Sequence, residues 1–259
     1  MIVRTWNLFH GNTVPRGRRR YVAEMVRLVT RDAPDIVCLQ EVPPWALPLL
    51  GEWSGMQGFG QIAARPTAGP LPSTVGLGRR ITDLHPGLLR SGFEGQANAT
   101  LIAPARTITA RHVITLNPVR FRVREGRRLG LSIVSQLAWG KERRQCIAVR
   151  LEGGLVVANL HATNARNPRV ADAEVTRAAE WAVRLAGDAP CVLAGDFNVD
   201  TARSVAIDQL DGFSRAGPGV DHVLVRGASA SAYDRWSPER RPLGKLALSD
   251  HAPVEVRVT

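Results

Sequence analysis

The sequence predicts a mixed α/β (α+β) fold built on β-sheet, and three observations support this prediction. Short apolar runs such as residues 191–194 recur along the chain and end in polar residues, as buried strands do. Between them, residues 21–31 and 171–186 carry apolar residues at helical spacing. The chain has 259 residues, of which 44% are hydrophobic, enough for one sizeable core. Because no linker or shift in composition divides it, we expect a single domain over residues 1–259.

Strand and helix signals alternate in the N-terminal half. An apolar run that ends at Asn7 predicts the first strand, and the helical pattern that follows stops before Pro34. A second apolar run leads directly to Glu41. Residues 55–95 are rich in Gly and Pro and show weak periodicity. The elements predicted in this half are strands over 2–6 and 35–39, helices over 21–31 and 45–53, and strands over 96–103 and 107–116.

The C-terminal half contains a basic segment and the clearest helix. Residues 120–128 alternate Arg with apolar residues, which predicts an exposed basic strand or hairpin arm. Residues 129–138 and 145–151 are predicted as strands joined by a turn, and Gly153-Gly154 predict a tight hairpin into a strand that ends at His161. The elements predicted after it are the helix over 171–186, a central strand over 191–194, a short helix near 204–210 and strands over 223–225 and 254–256.

The net charge of +11 suits an anionic partner such as nucleic acid or a membrane surface. Three Arg-rich segments, residues 16–20, 120–128 and 141–144, are candidates for phosphate contacts, although a solvated loop and helix start explains the first equally well. Because Lys141 and Lys245 are the only lysines, the Arg-rich composition also fits a coding bias. Charge alone therefore leaves the partner open.

Cysteine usage and the N-terminus bear on the compartment. Cys38, Cys146 and Cys191 lie within apolar runs, where cysteine acts as a small buried hydrophobe, and their spacing suits neither a disulfide framework nor a zinc site. This favours a reducing compartment. The chain opens with a strand instead of a leader pattern, and no stretch approaches transmembrane length. We therefore expect a cytoplasmic monomer without a stable protein partner.

Groups that bind metals or transfer protons stand at the ends of many predicted strands. Asp196 and Asn198 are two residues apart after a buried strand, so in an extended chain their side chains share one face. Gly195 lets the backbone turn or approach closely just before them. An Asx turn is the alternative explanation for the pair. Equivalent groups at other strand ends are Asn7, Glu41, His161, Asn164, Asp221, Asp250 and His251.

Oxygen-rich side chains from several strand ends fit a hard cation, Mg²⁺ or Mn²⁺, better than zinc, because the chain has no Cys/His set at short spacing. Glu41 is the best candidate for a direct ligand, and Asn7 and Asp250 would complete the site directly or through water. His161 and His251 are candidates for proton transfer and phosphate contact, since imidazole titrates near neutral pH.

Taken together, these segments resemble the endonuclease/exonuclease/phosphatase superfamily, which includes pancreatic-type deoxyribonucleases, abasic-site endonucleases, sphingomyelinases and inositol polyphosphate 5-phosphatases. Six matches occur in the family's order, from residue 7 to residue 253. Each match is weak alone, but the ordered set is specific. The matches are Thr-Trp-Asn at 5–7, Leu-Gln-Glu at 39–41, Asn-Leu-His-Ala-Thr-Asn at 159–164, Gly-Asp-Phe-Asn at 195–198, Val-Asp-His-Val-Leu-Val at 220–225 and Ser-Asp-His-Ala-Pro at 249–253.

The resemblance implies a four-layer α/β/β/α sandwich, with two mixed β-sheets face to face, helices outside and an active site at one end. It also implies that Glu41 binds the metal, supported by Asn7 and Asp250. Further phosphate contacts are expected from Asn164, for which capping of the following turn is the alternative, and from Asn98, which otherwise belongs to a turn.

The resemblance also implies catalytic roles. Asp196 would orient or deprotonate the attacking water, and Asn198 would hold that water or the phosphate. His251, oriented by Asp221, would contact a phosphate oxygen or act as the base. His161 would donate a hydrogen bond to the phosphate or protonate the leaving oxygen. The other histidines have a structural explanation or no motif support: His10, His85, His112 and His222.

The resemblance implies a reaction type more firmly than a substrate. Abasic-site endonucleases usually carry Tyr where His161 stands, so this chain is more similar to the deoxyribonuclease and sphingomyelinase branches. The sequence shows neither a leader pattern nor an obvious exposed hydrophobic hairpin, and both absences count against a sphingomyelinase. The leading hypothesis is a metal-dependent endonuclease or exonuclease acting on DNA; the alternative is a phosphatase or phosphodiesterase acting on a small molecule or lipid headgroup. A third hypothesis, a catalytically silent binding module, is disfavoured by the intact motif set.

Overall fold

Two mixed β-sheets pack face to face in the computed structural model, and helices cover the outer face of each sheet. The expected α/β/β/α sandwich is therefore confirmed. The structure describes residues 1–17, 19–68, 71–84, 93–231, 233–244 and 246–259, and the predictions that involve Arg18, His85 and Lys245 lie outside these ranges. Within these ranges, none of the helices combines the length and apolarity needed to cross a bilayer.

Short strands and a few helices make up the described part of the chain. The strands are β1 (Ile2–Asn7), β2 (Thr13–Val14), β3 (Ile36–Val42), β4 (Gln57–Ala64), β5 (Thr67–Ala68), β6 (Leu71–Pro72), β7 (Gln96–Ile102), β8 (Ile108–Thr115), β9 (Gln145–Leu151), β10 (Val156–His161), β11 (Cys191–Asp196), β12 (Asp221–Arg226), β13 (Asp234–Arg235), β14 (Pro242–Leu243), β15 (Leu246–Leu248) and β16 (Val254–Arg257). The α-helices are α1 (Val22–Thr30), α2 (Leu50–Ser54), α3 (Val75–Leu84), α4 (Val119–Arg128), α5 (Ile133–Trp139) and α6 (Pro168–Ala186). Single 3-10 turns or short 3-10 helices span Phe9–Gly11, Pro44–Leu49, Ile207–Gln209 and Pro238–Arg240.

The two large sheets have six and five strands. Their strand orders are β13-β16-β1-β3-β7-β4 and β12-β11-β10-β9-β8. The pairs β1–β3 and β10–β11 run parallel, and the other neighbours in these sheets run antiparallel. Two small sheets, β14-β15-β2 and β5-β6, lie outside the sandwich order.

Alternation along the strands divides the core into layers. On β3, Val37 and Leu39 pack with α1 and α2, whereas Ile36 and Cys38 pack against the second sheet. On the opposite side, α6 lays small apolar side chains on the outer face of the second sheet. The three cysteines are buried and unpaired, as predicted.

A buried amide pair ties the two sheets together near the strand ends. Gln40 Nε2 donates to Asn159 Oδ1 at 2.7 Å. Asn159 Nδ2 donates to the carbonyls of Leu39 at 3.2 Å and Ala99 at 2.9 Å. These bonds satisfy polar groups that would otherwise be costly to bury, so Asn159 stabilises the sheet packing.

Strand direction brings the polar strand ends to one edge. The parallel strands β1 and β3 carry Asn7 and Glu41 near their C-terminal ends, and β10 and β11 end in the register partners His161 and Asp196. Because β12 runs antiparallel to β11, its first residue, Asp221, is the register partner of Asp196. The sandwich therefore has one polar end.

Gly195 permits the close pairing of β10 and β11 just before Asp196. Its φ is +142°, and a Cβ at this position would lie 1.9 Å from the carbonyl oxygen of Leu160. A side chain cannot be accommodated there. The prediction that Gly195 allows a close approach is confirmed.

Two segments predicted as strands are helices. Residues 120–128 belong to α4, and most of residues 129–138 belong to α5. Phe121 and Glu125 are four residues apart, which places them on one face of a helix, and both are buried in α4. Phe121 packs edge-to-face on Trp139 of α5, with ring centroids 5.9 Å apart. This contact between the two helices, which a local pattern does not reveal, explains why the strand prediction was wrong.

Three other elements differ from their predictions in extent. β3 continues through Glu41 instead of ending before it. The helix predicted over 45–53 is a 3-10 helix followed by α2. The helix near 204–210 is reduced to the 3-10 turn Ile207–Gln209.

Candidate active site

A cavity of about 380 Å³ opens where the polar strand ends meet. It is lined by side chains from both large sheets and from the loops beside them. Seven of the ten residues predicted for the site border it: Glu41, His161, Asn164, Asp196, Asn198, Asp250 and His251.

Asp196 lies at the centre of the site and is 1% exposed. Its Oδ2 accepts a hydrogen bond from Asn7 Nδ2 at 2.9 Å, and the Nε2 atoms of His161 and His251 lie 3.5 and 4.0 Å from the same oxygen. Burial, together with the charge of Asp221, raises the pKa of Asp196 to about 7. This carboxyl therefore exchanges a proton near neutral pH.

Asn198 combines the two explanations considered for it. Its backbone N–H donates to Asp196 Oδ1 at 2.9 Å, which is an Asx turn. Its Nδ2 donates to the carbonyl of Ala162 at 2.9 Å, and the residue also borders the cavity. The turn thus holds the side chain at the cavity wall.

His251, which borders the cavity, forms a close pair with Asp221. His251 Nδ1 lies 2.8 Å from Asp221 Oδ2 and 3.0 Å from Oδ1. Burial alone would lower the pKa of His251, but its hydrogen bond to Asp221 and the charges of Asp221, Asp196 and Asp250 outweigh burial and raise the pKa to about 10. His251 is therefore an imidazolium at neutral pH.

Hydrogen bonds fix the loop of His251 against β1. Ser249 Oγ donates to the carbonyl of Asn7 at 2.7 Å and accepts from the backbone N–H of His251 at 3.0 Å. Trp6 Nε1 donates to the carbonyl of His251 at 3.0 Å. Through these bonds, the end of β1 that carries Asn7 also fixes the position of His251.

His161 differs from His251 in its protonation state. Arg144 Nη1 lies 3.0 Å from both ring nitrogens of His161, and Arg144 Nη2 donates to Glu142 Oε2 at 2.7 Å. Burial, followed by the charge of Arg144, keeps the pKa of His161 well below its usual range. His161 is therefore a neutral imidazole at neutral pH.

The acidic groups at the cavity fit a hard divalent cation. Glu41 is partly exposed to the cavity, and its Oε1 accepts a hydrogen bond from Asn7 Nδ2 at 3.2 Å. Burial, with the charge of Glu41, raises the pKa of Asp250 in spite of the nearby His251. Crowded carboxylates of this kind repel one another, and a bound cation relieves that repulsion. Asn7 turns its amide nitrogen toward Glu41 and so orients this carboxylate by a hydrogen bond.

A second grouping of ligand-type atoms has a different explanation. Asp196, Asp221 and His251 offer atoms that all lie within 4.8 Å of one another. His251 Nδ1 is already paired with Asp221, so the closeness of these three side chains is explained without a bound ion.

Left-handed backbone is concentrated around the cavity. In the described part of the chain, six non-glycine residues have positive φ, and all except Ala33 belong to the site or its loops. Such conformations cost roughly 1–3 kcal/mol each and persist where the surroundings impose them. The residues at the site are Phe9, His10, Glu41, Asn198 and Ser249.

Asn98 does not reach the cavity. Its Nδ2 donates to the carbonyl of Gln145 at 3.0 Å between β7 and β9, which is a structural role. His222 is also structural, as its ring packs edge-to-face on Phe197 with centroids 4.9 Å apart. Asn164 borders the cavity, and its predicted phosphate contact stays a prediction.

The sequence analysis passed over several residues that border the cavity. Gln96 begins β7, and Arg144 directly precedes β9; both strands run antiparallel to strands whose C-terminal ends form the site. The start of an antiparallel neighbour lies at the same edge, so polar residues before predicted strands were the available signal. The residues missed in this way are Gln96 and Glu142, and His10 was set aside for lack of a motif; Arg144 had been considered only as part of the Arg-rich segment 141–144.

His10 connects Glu41 to a second, fully buried carboxylate. His10 is 4% exposed, and its Nε2 lies 3.4 Å from Glu41 Oε2. Its Nδ1 lies 3.9 Å from Glu94 Oε2, and Glu94 Oε1 accepts hydrogen bonds from Arg20 and, at 2.7 Å, from Trp45 Nε1. His10 therefore restricts the position of the Glu41 carboxylate.

We predict that His10→Ala weakens Mn²⁺ binding by about tenfold, because groups that orient a metal ligand typically matter to this extent. Isothermal titration with Mn²⁺ measures the affinity without a substrate. His10→Gln restores a donor toward Glu41 and should retain most of the affinity. His112→Ala, in β8 away from the cavity, is the matched control. Equal affinities for all three variants and wild type would contradict this role.

Sequence comparison identifies a known family. A model of the Endonuclease/Exonuclease/phosphatase family matches residues 5–251. The match includes every residue described above as bordering the cavity or supporting it. A search of curated proteins finds no match to this chain.

Solved structures share the fold over the whole chain. A functionally unknown conserved protein from Enterococcus faecalis is 14% identical with a TM-score of 0.67, covering 100% of this chain and 99% of that chain. The mannosyl-6-phosphatase Bt3783 of Bacteroides thetaiotaomicron is 16% identical with a TM-score of 0.64 and the same coverage. Humanized TDP2 of D. rerio is 13% identical with a TM-score of 0.62, covering 100% and 98%. At these identities the likeness shows the fold.

Proposed function

This chain belongs to the endonuclease/exonuclease/phosphatase family of phosphoester hydrolases, and we propose that it is a divalent-metal-dependent phosphodiesterase. One observation carries the proposal. A single cavity holds a carboxyl with a pKa of about 7, an imidazolium and a partly exposed carboxylate suited to a cation. These are a base, a phosphate contact and a metal ligand, which are the parts that hydrolysis of a phosphoester needs.

Asp196 is the proposed base. The oxygen of a water molecule bonds to phosphorus while the bond to the leaving oxygen breaks; the water proton passes to Asp196, and the leaving oxygen takes up a proton from solvent in the open cavity. Asn198, which borders the same cavity, holds the water or a phosphate oxygen. A base that titrates near neutral pH is well matched to this transfer.

The histidines take separate roles because their charges differ. His251 is protonated, so it contacts a phosphoryl oxygen and cannot act as the base. His161 is neutral and donates a hydrogen bond to the phosphate instead of protonating the leaving oxygen. Arg144 and Asn164 border the same cavity and add phosphate contacts.

Glu41 would hold Mg²⁺ or Mn²⁺, with Asp250 nearby and Asn7 orienting the Glu41 carboxylate. When bound, such an ion supplies positive charge for the phosphoryl oxygens as they become more negative. Both metals are candidates because both prefer oxygen ligands.

DNA is the first candidate substrate. Arg16 and Arg144 border the cavity, and Lys141 and Arg143 are exposed beside Arg144 in the chain. Cations in this arrangement suit a backbone that presents successive phosphates, and they predict an affinity that falls steeply with salt.

A phosphoester of a small molecule or lipid headgroup is the second candidate. A neighbouring cavity of about 560 Å³ shares Asn164 with the site and is lined in part by Leu131, Trp139 and Val170. A substrate with an apolar portion could occupy both cavities. The mannosyl-6-phosphatase with this fold also supports a small phosphoester as substrate.

A substrate panel tests the proposal. The purified protein is incubated with Mg²⁺ or Mn²⁺ and plasmid, single-stranded, abasic-site or RNA substrates, beside an inositol phosphate and a phospholipid. We expect plasmid nicking that EDTA stops and added metal restores. Product from the inositol phosphate or lipid alone would select the second candidate. No product from any substrate with either metal would contradict the phosphodiesterase proposal.

A further inference from the structure

Helix α5 exposes a cluster of large apolar side chains. Ile133, Val134 and Leu137 are 76%, 75% and 69% exposed. Their spacing places them on one face of the helix, while Trp139 on the opposite side is buried. Adjacent exposed apolar residues of this size are uncommon on a soluble surface and mark a contact site.

The neighbouring helix α4 extends this face and adds positive charge. Gly126 of α4 packs against Gln136 of α5. At about 3.6 residues per turn, Val119 and Val123 lie next to Gly126 around the helix, and a row of arginines follows them. The two valines are 65% and 39% exposed. The arginine row consists of Arg120 and Arg127, both exposed. We call Val119, Arg120, Val123, Arg127, Ile133, Val134 and Leu137 the α4–α5 surface.

We propose that the α4–α5 surface binds an anionic lipid bilayer. Ile133, Val134 and Leu137 enter the headgroup region, and Arg120 and Arg127 contact lipid phosphates. An apolar helix face bordered by arginines is the pattern of helices that lie in the membrane interface.

Charge argues against a second copy of this chain as the occupant. A two-fold interface would bring the same surface of both chains together, so the two arginine rows would lie close to each other on chains of net charge +11. DNA would satisfy the arginines but leave the apolar trio in water. An anionic bilayer satisfies both halves of the surface.

The α4–α5 surface is connected to the catalytic cavity. Trp139, the last residue of α5, donates through Nε1 to Glu174 Oε1 at 2.6 Å. Glu174 also accepts hydrogen bonds from the N–H and hydroxyl of Thr163, at 2.6 and 2.8 Å. Thr163 precedes Asn164, which borders the catalytic cavity. These hydrogen bonds therefore link the end of α5 to the loop that borders the catalytic cavity.

Vesicle co-sedimentation tests the inference without metal or substrate, so its outcome is independent of the proposed phosphodiesterase activity. We expect the full chain to sediment with vesicles of phosphatidylcholine plus phosphatidylserine, and weakly with phosphatidylcholine alone. The triple variant Ile133→Ser, Val134→Ser, Leu137→Ser should bind the mixed vesicles at least about tenfold more weakly. The double variant Arg120→Gln, Arg127→Gln should lose the preference for phosphatidylserine.

A matched control separates this surface from general exposure of apolar residues. Leu71→Ser, Leu77→Ser removes two leucines that are 67% and 49% exposed elsewhere, and its binding should equal that of wild type. Thermal melting checks that each variant folds. Unchanged binding by the triple variant would overturn the inference. A wild-type dimer that the triple variant dissociates would also overturn it, by assigning the surface to a second copy.

Discussion

Asp196→Asn should lower kcat/KM roughly 1000-fold, within the range typical for the removal of a general base. The substitution keeps the size of the side chain and an oxygen that can accept the hydrogen bond from Asn7. It removes the group that takes the water proton. Steady-state hydrolysis of whichever substrate the panel identifies, near pH 8, measures the loss.

The same variant should be at least as stable as wild type, which distinguishes catalytic loss from unfolding. Burial and the charge of Asp221 raise the folded-state pKa of Asp196 from 3.8 to about 7, so this carboxyl lowers stability progressively as the pH rises through that window, and the full loss is present above about pH 7. Asn carries no such charge. The melting temperature near pH 8 should therefore stay the same or rise.

Asp200→Asn serves as the matched control for Asp196→Asn. Asp200 lies four residues further along and accepts a hydrogen bond from Ala202 N at 2.9 Å in an exposed turn. Its loss should leave the rate close to wild type. A near-normal rate for Asp196→Asn, or an equal loss in both variants, would contradict the assignment of Asp196 as base.

Asp221→Asn should move the whole pH profile to lower pH and reduce the rate by about 100-fold near pH 9. In wild type, activity rises as Asp196 loses its proton near pH 7 and falls as His251 loses its proton near pH 10. Asp221 raises both pKa values. Removing its charge lowers both, so His251 becomes neutral at a pH where the wild-type residue is still an imidazolium.

The shape of the profile decides this prediction. The rate over the full pH range is recorded for wild type, Asp221→Asn and the control Asp234→Asn, whose exposed carboxylate pairs with Arg240 at the surface. The control should reproduce the wild-type profile. If Asp221→Asn lowers the rate equally at all pH values, Asp221 orients the ring of His251 without setting its charge.

The membrane proposal changes the weight of one argument made from the sequence. A hydrophobic hairpin was sought as the sign of a lipid-directed enzyme, and residues 129–138 were predicted as a strand. The structure places most of them in α5, where Ile133, Val134 and Leu137 face solvent. An exposed apolar element is therefore present, but as a helix.

Local patterns were sufficient for much of the fold. The helix over 171–186 and the strands around it were predicted because their apolar residues repeat with the period of the element that buries them. The pattern over residues 120–128 was compatible with either element, and the packing of Phe121 on Trp139 selected the helix. Asn98 was considered for the cavity, but its side chain binds the carbonyl of Gln145. The sequence of a strand does not reveal which other strands lie against each of its faces.

The sequence by itself determined that acidic, amide and imidazole groups follow the strand ends, since buried strands and their polar termini are written in consecutive residues. Only the tertiary structure decided which histidine is neutral and which is an imidazolium. His161 is neutral beside Arg144 and His251 is charged beside Asp221, and these neighbours arrive from other strands. A pKa depends on burial and on charges within a few ångströms, and chain folding alone sets both.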